Sequence, residues 1–194
     1  MSITNLDALI LVDLQNDFCR GGPLGVPSSD AVVKSLSALA KAFAAKGGKV
    51  FATRDWHPAE HSSFQTQGGQ WPEHCIQGTQ GAEFHPDLEL PKGSSIVNKG
   101  MSVGKDAYSG FVDSDLNDQL RKKGINRLYV GGLATDNCVL NTVLDAIYND
   151  YETYVVTDAV AAVNVEPGDG IRAIHLMQVN GALLTRTSEL IADP

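Results

Sequence analysis

Asp13, Asp55, Lys99 and Cys138 are all able to do chemistry, and each stands at or just past the end of a short apolar run. A cysteine attacks a carbonyl carbon only as thiolate, so it needs a base or a nearby positive charge. None of the five histidines falls at such a run end beside Cys138. Asp13 could take the thiol proton, with Lys99 stabilising the resulting anion and orienting the carboxylate. Cys138 follows Gly131-Gly132-Leu133-Ala134-Thr135-Asp136 and precedes Val139, Val143, Ala146 and Ile147, the spacing of one helical face. With Thr135 or Asp136 as N-cap, Cys138 falls in the first helical turn, where the dipole favours a thiolate and N–H groups could hold an oxyanion. Taken singly, these residues read as a small buried cysteine, a helix cap or salt-bridge partner, and a surface lysine. Their joint placement at run ends is what points to a site.

A second group is Asp55-Trp56-His57, followed by His61, His74 and His85. One carboxylate and two imidazoles suit zinc, iron or manganese. Asp55 and His57 are separated by one residue, so an extended segment points both to the same side. By spacing alone, His61, His74 and His85 compete for the remaining place.

The elements that must position these groups alternate along the chain. A continuous apolar run over 8–14 reads as a strand buried on both faces. A Gly- and Pro-rich loop precedes a helix from Ser29 or Asp30 to about Lys46, and 49–53 gives a second strand. From 55 to 92 there is no sustained periodicity, and a long irregular excursion inside a compact domain usually carries function. Strands follow at 95–98, 128–130, 153–157 and 182–185, with helices over about 114–123, from 135 onward, and over 166–179. The pair Gly131-Gly132 reads as the tight turn between the fourth strand and its helix. This pattern predicts an α/β fold: a doubly wound, mostly parallel six-stranded sheet with helices on both faces. In such sheets ligands sit outside the carboxyl ends of the strands, near the point where strand order reverses.

The chain of 194 residues reads as a single domain, 1–194, with no internal repeat and no linker. A net charge of -8 argues against nucleic acid as a partner. An odd number of cysteines, three, does not form a disulfide framework and implies a reducing compartment. No basic region precedes the first apolar run, and Asp7 and Asp13 bracket a core too short to span a membrane, so the expected location is cytoplasmic. The composition leaves open whether chains assemble into a homo-oligomer.

The segments DLQNDFCRGG (Asp13 to Gly22), RDWHPAEHSSF (Arg54 to Phe64), WPEHC (Trp71 to Cys75), GAEFHP (Gly81 to Pro86), NKG (Asn98 to Gly100), YSGF (Tyr108 to Phe111) and GGLATDNC (Gly131 to Cys138) occur in one order. Together they closely resemble the nicotinamidases of the isochorismatase-like hydrolase family over essentially the whole chain. The resemblance implies hydrolysis of nicotinamide to nicotinate and ammonia through a cysteine thioester, with pyrazinamide as a further substrate. It implies a triad of Asp13, Lys99 and Cys138, and an oxyanion hole from backbone N–H groups of Ala134 and Cys138, with a cis peptide between Leu133 and Ala134. It implies Asp55, His57 and His74 as ligands of one divalent metal ion, zinc first and iron or manganese as alternatives. His61 matches a position that ligates directly in some members and through water or not at all in others, and it stays open as a fourth ligand. Phe18, Trp71, Tyr108, Leu133 and Ala134 match the substrate pocket. Two further readings stand beside this one: another amidase or isochorismatase-type hydrolase of the same fold, and a non-catalytic metal-binding protein. Cys138 weakens the isochorismatase-type alternative, whose enol-ether-cleaving members do not need it.

Overall fold

The computed structural model describes residues 2–192. Its centre is a six-stranded sheet in the order β3-β2-β1-β4-β5-β6, with every pairing parallel. The strands are β1 (Asp7–Val12), β2 (Lys49–Asp55), β3 (Ser95–Lys99), β4 (Arg127–Leu133), β5 (Glu152–Ala161) and β6 (Leu183–Thr185). Helices α1 (Ser29–Ala45), α2 (Leu116–Lys122), α3 (Leu140–Tyr148), α4 (Asp169–Val179) and α5 (Thr187–Ile191) complete the layers. No helix among the described residues is long and apolar enough to cross a membrane.

Side-chain alternation along β1 splits the core in two. Leu9 and Leu11 pack with Leu36, Leu39 and Phe43 of α1 and Leu190 of α5 on one face. Ala8, Ile10 and Val12 pack with Leu116 and Leu120 of α2, Val143 and Ala146 of α3, and Ala173 and Met177 of α4 on the other. Because both faces are covered, β1 is buried along its whole length, which is why its sequence reads as a continuous apolar run.

Chain order runs outward from β1 to β3 in one direction and from β4 to β6 in the other, so strand order reverses between β1 and β4. A crevice opens there at the carboxyl ends of the strands. Asp13 follows β1 and Cys138 follows β4, so the reversal brings the two together at adjacent strand ends.

Several boundaries shift from those expected. The strand at 8–14 ends at Val12, because Asp13 leaves the sheet with φ 51, in the left-handed region. The strand at 95–98 runs on through Lys99, and that at 49–53 through Asp55, where Asp55 pairs with Lys99. Helix α5 is absent from the expectation; at five residues it is too short to show periodicity.

Gly131-Gly132 is not a turn. Both glycines belong to β4, with Gly131 opposite Leu11 and Gly132 opposite Val12. Gly132 has φ 130, and a Cβ there would overlap the backbone of Val12. Its role is close strand approach beside the crevice. Gly132→Ala is expected to cost about 2–4 kcal/mol and to lower Tm by roughly 5–15 °C, measured by thermal melt.

Candidate active site

Lys99 lies at the centre of the crevice and is fully buried. From the end of β3 its stem reaches across β2, so that Nζ lies 2.9 Å from Asp13 Oδ2, 2.6 Å from Asp55 Oδ1 and 3.7 Å from Cys138 Sγ. Nζ also donates to the Ala107 carbonyl oxygen at 2.9 Å. Burial opposes the charge on Lys99, but Asp13 and Asp55 outweigh it and hold the ammonium well above its ordinary pKa.

Asp13 has no exposed surface. Thr53 Oγ1 donates to its Oδ1 at 2.7 Å, whereas Oδ2 lies in ion-pair contact with Lys99 but accepts no well-aligned hydrogen bond. Burial raises the Asp13 carboxyl above its ordinary range, with Lys99 pulling the other way and Asp55 adding to the rise. A carboxylate raised in this way is a stronger base than an exposed one. Asp13, Asp55 and Cys138 place one ligand atom each within 4.8 Å of one another. The cation among these three groups is already the Lys99 ammonium.

Cys138 corrects an expectation. It sits in the first turn after β4, but that turn is wide: Val139 N–H donates to Ala134 O, five residues back, at 3.1 Å. Such π-type turns occur often at functional sites. No side chain caps it. The carboxylate of Asp136 instead accepts the N–H groups of Val163 and Asn164 at 3.0 and 2.8 Å, tying the loop after β5 to the start of the helix. Cys138 is only 7% exposed, and burial pushes its thiol well above the ordinary value, while Lys99 pulls down and Asp13 and Asp55 push up. Desolvation outweighs the Lys99 ammonium here. The resting group is a thiol beside a base rather than a standing thiolate.

Next to this triad, ligand atoms of Asp55, His57 and His74 lie within 4.8 Å of one another, all three side chains buried. His57 Nδ1 lies 2.8 Å from Gly100 O, and His74 Nδ1 lies 2.7 Å from Pro72 O. A carbonyl only accepts, so each Nδ1 carries its hydrogen, and Nε2 is the ring atom through which the neutral imidazole can bind a metal. Carbonyl-braced imidazoles of this kind are the usual outer support of metal-ligating histidines. Burial would raise Asp55, yet Lys99 and the His57 contact hold its carboxyl well below the usual range, so it is a carboxylate. Its Oδ1 binds Lys99 and its Oδ2 lies 3.5 Å from His57 Nε2. One carboxylate thus joins the two groups. The donor set fits a borderline divalent metal.

His61 is not brought into this cluster. Its Nε2 faces Lys105 O at 3.2 Å and its Nδ1 faces Ser63 Oγ at 2.7 Å, while its ring stacks on His57 with centroids 4.1 Å apart. Here it supports His57 from behind. His85 lies outside as well, its Nδ1 accepting the Asp87 N–H at 3.2 Å.

Cys138, Asp55, His57 and His74 line a cavity of about 270 Å³ together with Phe18, Trp71, Tyr108, Leu133 and Ala134, whereas Asp13 and Lys99 are fully buried and do not line it. This is below the size usual for drug-like ligands and suits a single small ring. Trp71 Nε1 donates to Tyr108 Oη at 2.9 Å, joining two walls, and Phe18 packs against His74 with centroids 5.6 Å apart. The Leu133–Ala134 peptide at the floor is cis. Val26, Asn137 and Val163 also line the cavity, and none was anticipated. Asn137 was within reach of inference, being next to Cys138; Val163 lies in a loop with no signal of its own.

Residues 7–189 match the model of the isochorismatase domain. The chain belongs to the isochorismatase family. Among its relatives within that family, it is 41% identical to the nicotinamidase of Escherichia coli K12, over 91% of this chain and 93% of that protein. It is 41% identical to the nicotinamidase/pyrazinamidase of Mycobacterium tuberculosis, over 82% of this chain and 88% of the relative. Among solved structures, it resembles the pyrazinamidase of Pyrococcus horikoshii in complex with zinc, with a TM-score of 0.89, 42% identity, and coverage of 93% of this chain and 98% of that one. The likeness to these isochorismatase-family proteins covers most of the chain in each case.

Proposed function

We propose that this chain hydrolyses nicotinamide to nicotinate and ammonia through a thioester on Cys138. The observation that carries the mechanism is the convergence of Lys99 and Asp13 on Cys138, which lines a small aromatic cavity beside Asp55, His57 and His74. The nicotinamidase relatives support the substrate.

In the first half-reaction Asp13 takes the thiol proton as Sγ attacks the carboxamide carbon. The Lys99 ammonium stabilises the developing sulfur anion. Backbone N–H groups of Ala134 and Cys138 receive the oxyanion. Asp13 returns its proton to the amide nitrogen, the C–N bond breaks, and ammonia leaves. In the second half-reaction Asp13 takes a proton from water as the water oxygen attacks the thioester carbon. The C–S bond breaks, sulfur regains the proton, and the acid departs.

Phe18, Trp71 and Tyr108 wall the ring, and Leu133 and Ala134 form the floor. Asp55, His57 and His74 would hold a divalent ion, zinc by preference, with iron or manganese suited to the same donors. When bound there, such an ion would supply a Lewis-acidic anchor for the ring nitrogen and so would orient the carboxamide rather than activate water. Pyrazinamide presents the same carboxamide and ring nitrogen and is the proposed second substrate. The three free cysteines suit a reducing compartment, which puts the proposed reaction in the cytoplasm.

The test is ammonia and nicotinate release from nicotinamide by the purified chain, with metal content measured on the same sample. Chelation or His74→Ala is expected to lower kcat/KM by about 10–100-fold while Cys138 remains open to alkylation. Full activity in metal-free protein would overturn the orienting role, and no ammonia from metal-replete protein would overturn the function.

A further inference from the structure

The loop after β1 does more than deliver Asp13. Two residues on, Gln15 is fully buried, and its side-chain amide grips the backbone of Asp55 at both ends: Nε2 donates to Asp55 O at 2.8 Å, and Oε1 accepts Asp55 N–H at 2.8 Å. The same Nε2 also donates to Ala82 O at 2.9 Å. Two residues further, Asp17 Oδ2 accepts the N–H of Cys75 at 2.7 Å. Cys75 directly follows His74 and has φ 48, a left-handed conformation that a non-glycine residue keeps only when its surroundings hold it. The Cys75 carbonyl in turn accepts His57 N–H at 2.9 Å, and Gln77 N–H donates back to His57 O at 2.9 Å. Gln15 therefore holds the backbone of Asp55, Asp17 holds the residue after His74, and Cys75 passes that second contact on to His57.

We infer that Gln15 and Asp17 are positioning residues for the Asp55–His57–His74 cluster, so that the loop carrying the proton-transfer residue Asp13 also sets the geometry of the metal ligands. This rests on the reading that these three residues hold a divalent ion. A buried amide bonded to both N–H and C=O of one residue fixes the height and rotation of that residue on the strand end. The Asp17 bond does the same for the turn that aims His74. Neither side chain reaches the reacting atoms, so their effect travels through the ligands.

Gly81 offers an independent perturbation. A Cβ at this position would overlap the Asp17 carboxylate. Gly81→Ala should therefore displace Asp17 without altering any ligand or any triad member.

The experiment measures zinc dissociation constants of the full-length chain by competition with a chromophoric chelator. Parent, Asp17→Ala, Asp17→Asn, Gly81→Ala and Gln15→Met are compared, each checked for a cooperative melt in the metal-free state. Loss of an outer support of a metal ligand typically weakens affinity about 10–100-fold. That loss is expected in Asp17→Ala, Gly81→Ala and Gln15→Met. Asp17→Asn keeps an oxygen acceptor for the Cys75 N–H and should stay within about threefold of the parent. At saturating zinc, kcat of Asp17→Ala and Gly81→Ala should also stay within about threefold. Folded variants with parental zinc affinity overturn the inference, because a merely structural role lowers Tm and leaves affinity unchanged. Equal losses in Asp17→Asn and Asp17→Ala overturn it too. A parent chain that takes up no zinc overturns the metal reading together with this one, whereas a zinc-binding parent with unaffected variants overturns this one alone.

Discussion

Cys138→Ala is expected to lower kcat/KM for nicotinamide by about 10⁴–10⁶-fold, equivalent to roughly 5–8 kcal/mol of transition-state stabilisation. No other group in the crevice can replace the sulfur as a covalent nucleophile: Asp13 and Asp55 are both held by Lys99, and Lys99 is held protonated by them. The substitution removes one sulfur from a cavity wall and leaves the sheet untouched, so the fold should survive. Thioester accumulation on the parent chain, seen by mass spectrometry after acid quench, should vanish in the variant. The same thiol should be the first of the three to alkylate near neutral pH. Cys19 is pushed up to about 11 by burial, and Cys75 is driven well above its usual value by burial and by Asp55. Cys138 shares the burial, but it lines the cavity, has an ammonium 3.7 Å away and has a base beside it. A variant retaining more than about a tenth of parental activity (roughly 1.4 kcal/mol of barrier) would exclude the covalent route.

Asp13→Asn and Lys99→Met are each expected to lower kcat by about 10³–10⁴-fold, and the double variant should be little worse than the weaker single one. The two residues serve one proton transfer, and groups that act as a unit lose activity far less than additively. Stability should behave differently. Removing the Lys99 ammonium leaves Asp13 and Asp55 as buried carboxylates without their shared partner, a loss on the order of 3–5 kcal/mol. Asp13→Asn on the Lys99→Met background removes one of those charges, so Tm should partly recover while activity does not. Chemical denaturation and initial rates on all four proteins check both halves. A double variant whose activity loss equals the product of the single losses would assign Asp13 and Lys99 independent roles.

The layered architecture was legible because it is periodic. The unbroken apolar run of β1 follows from burial on both faces, and the spacing of Val139, Val143 and Ala146 follows from one helical face on the sheet. Placement of Asp13, Asp55, Lys99 and Cys138 near strand ends was equally local, and a parallel sheet necessarily gathers such ends on one edge. Asp55 and His57, one residue apart, could be paired on the same grounds. The third ligand could not, because His61, His74 and His85 differ only in how the excursion folds back. That folding depends on contacts remote in sequence, such as Cys75 N–H to Asp17 and His57 N–H to Cys75 O.

The sequence by itself determined the parallel α/β layers and the roster of chemically able residues at the crevice, since both depend on side-chain period and element order. Tertiary structure alone decided four further things. It made Gly131-Gly132 a site of close strand contact rather than a turn, because Val12 lies against Gly132. It turned Asp136 away from capping and toward Val163 and Asn164. It buried Lys99 between two carboxylates that are far from it along the chain. And it set Cys138 as a thiol, because desolvation, the ammonium and two carboxylates act through distances in space, and no local pattern of residues encodes their balance.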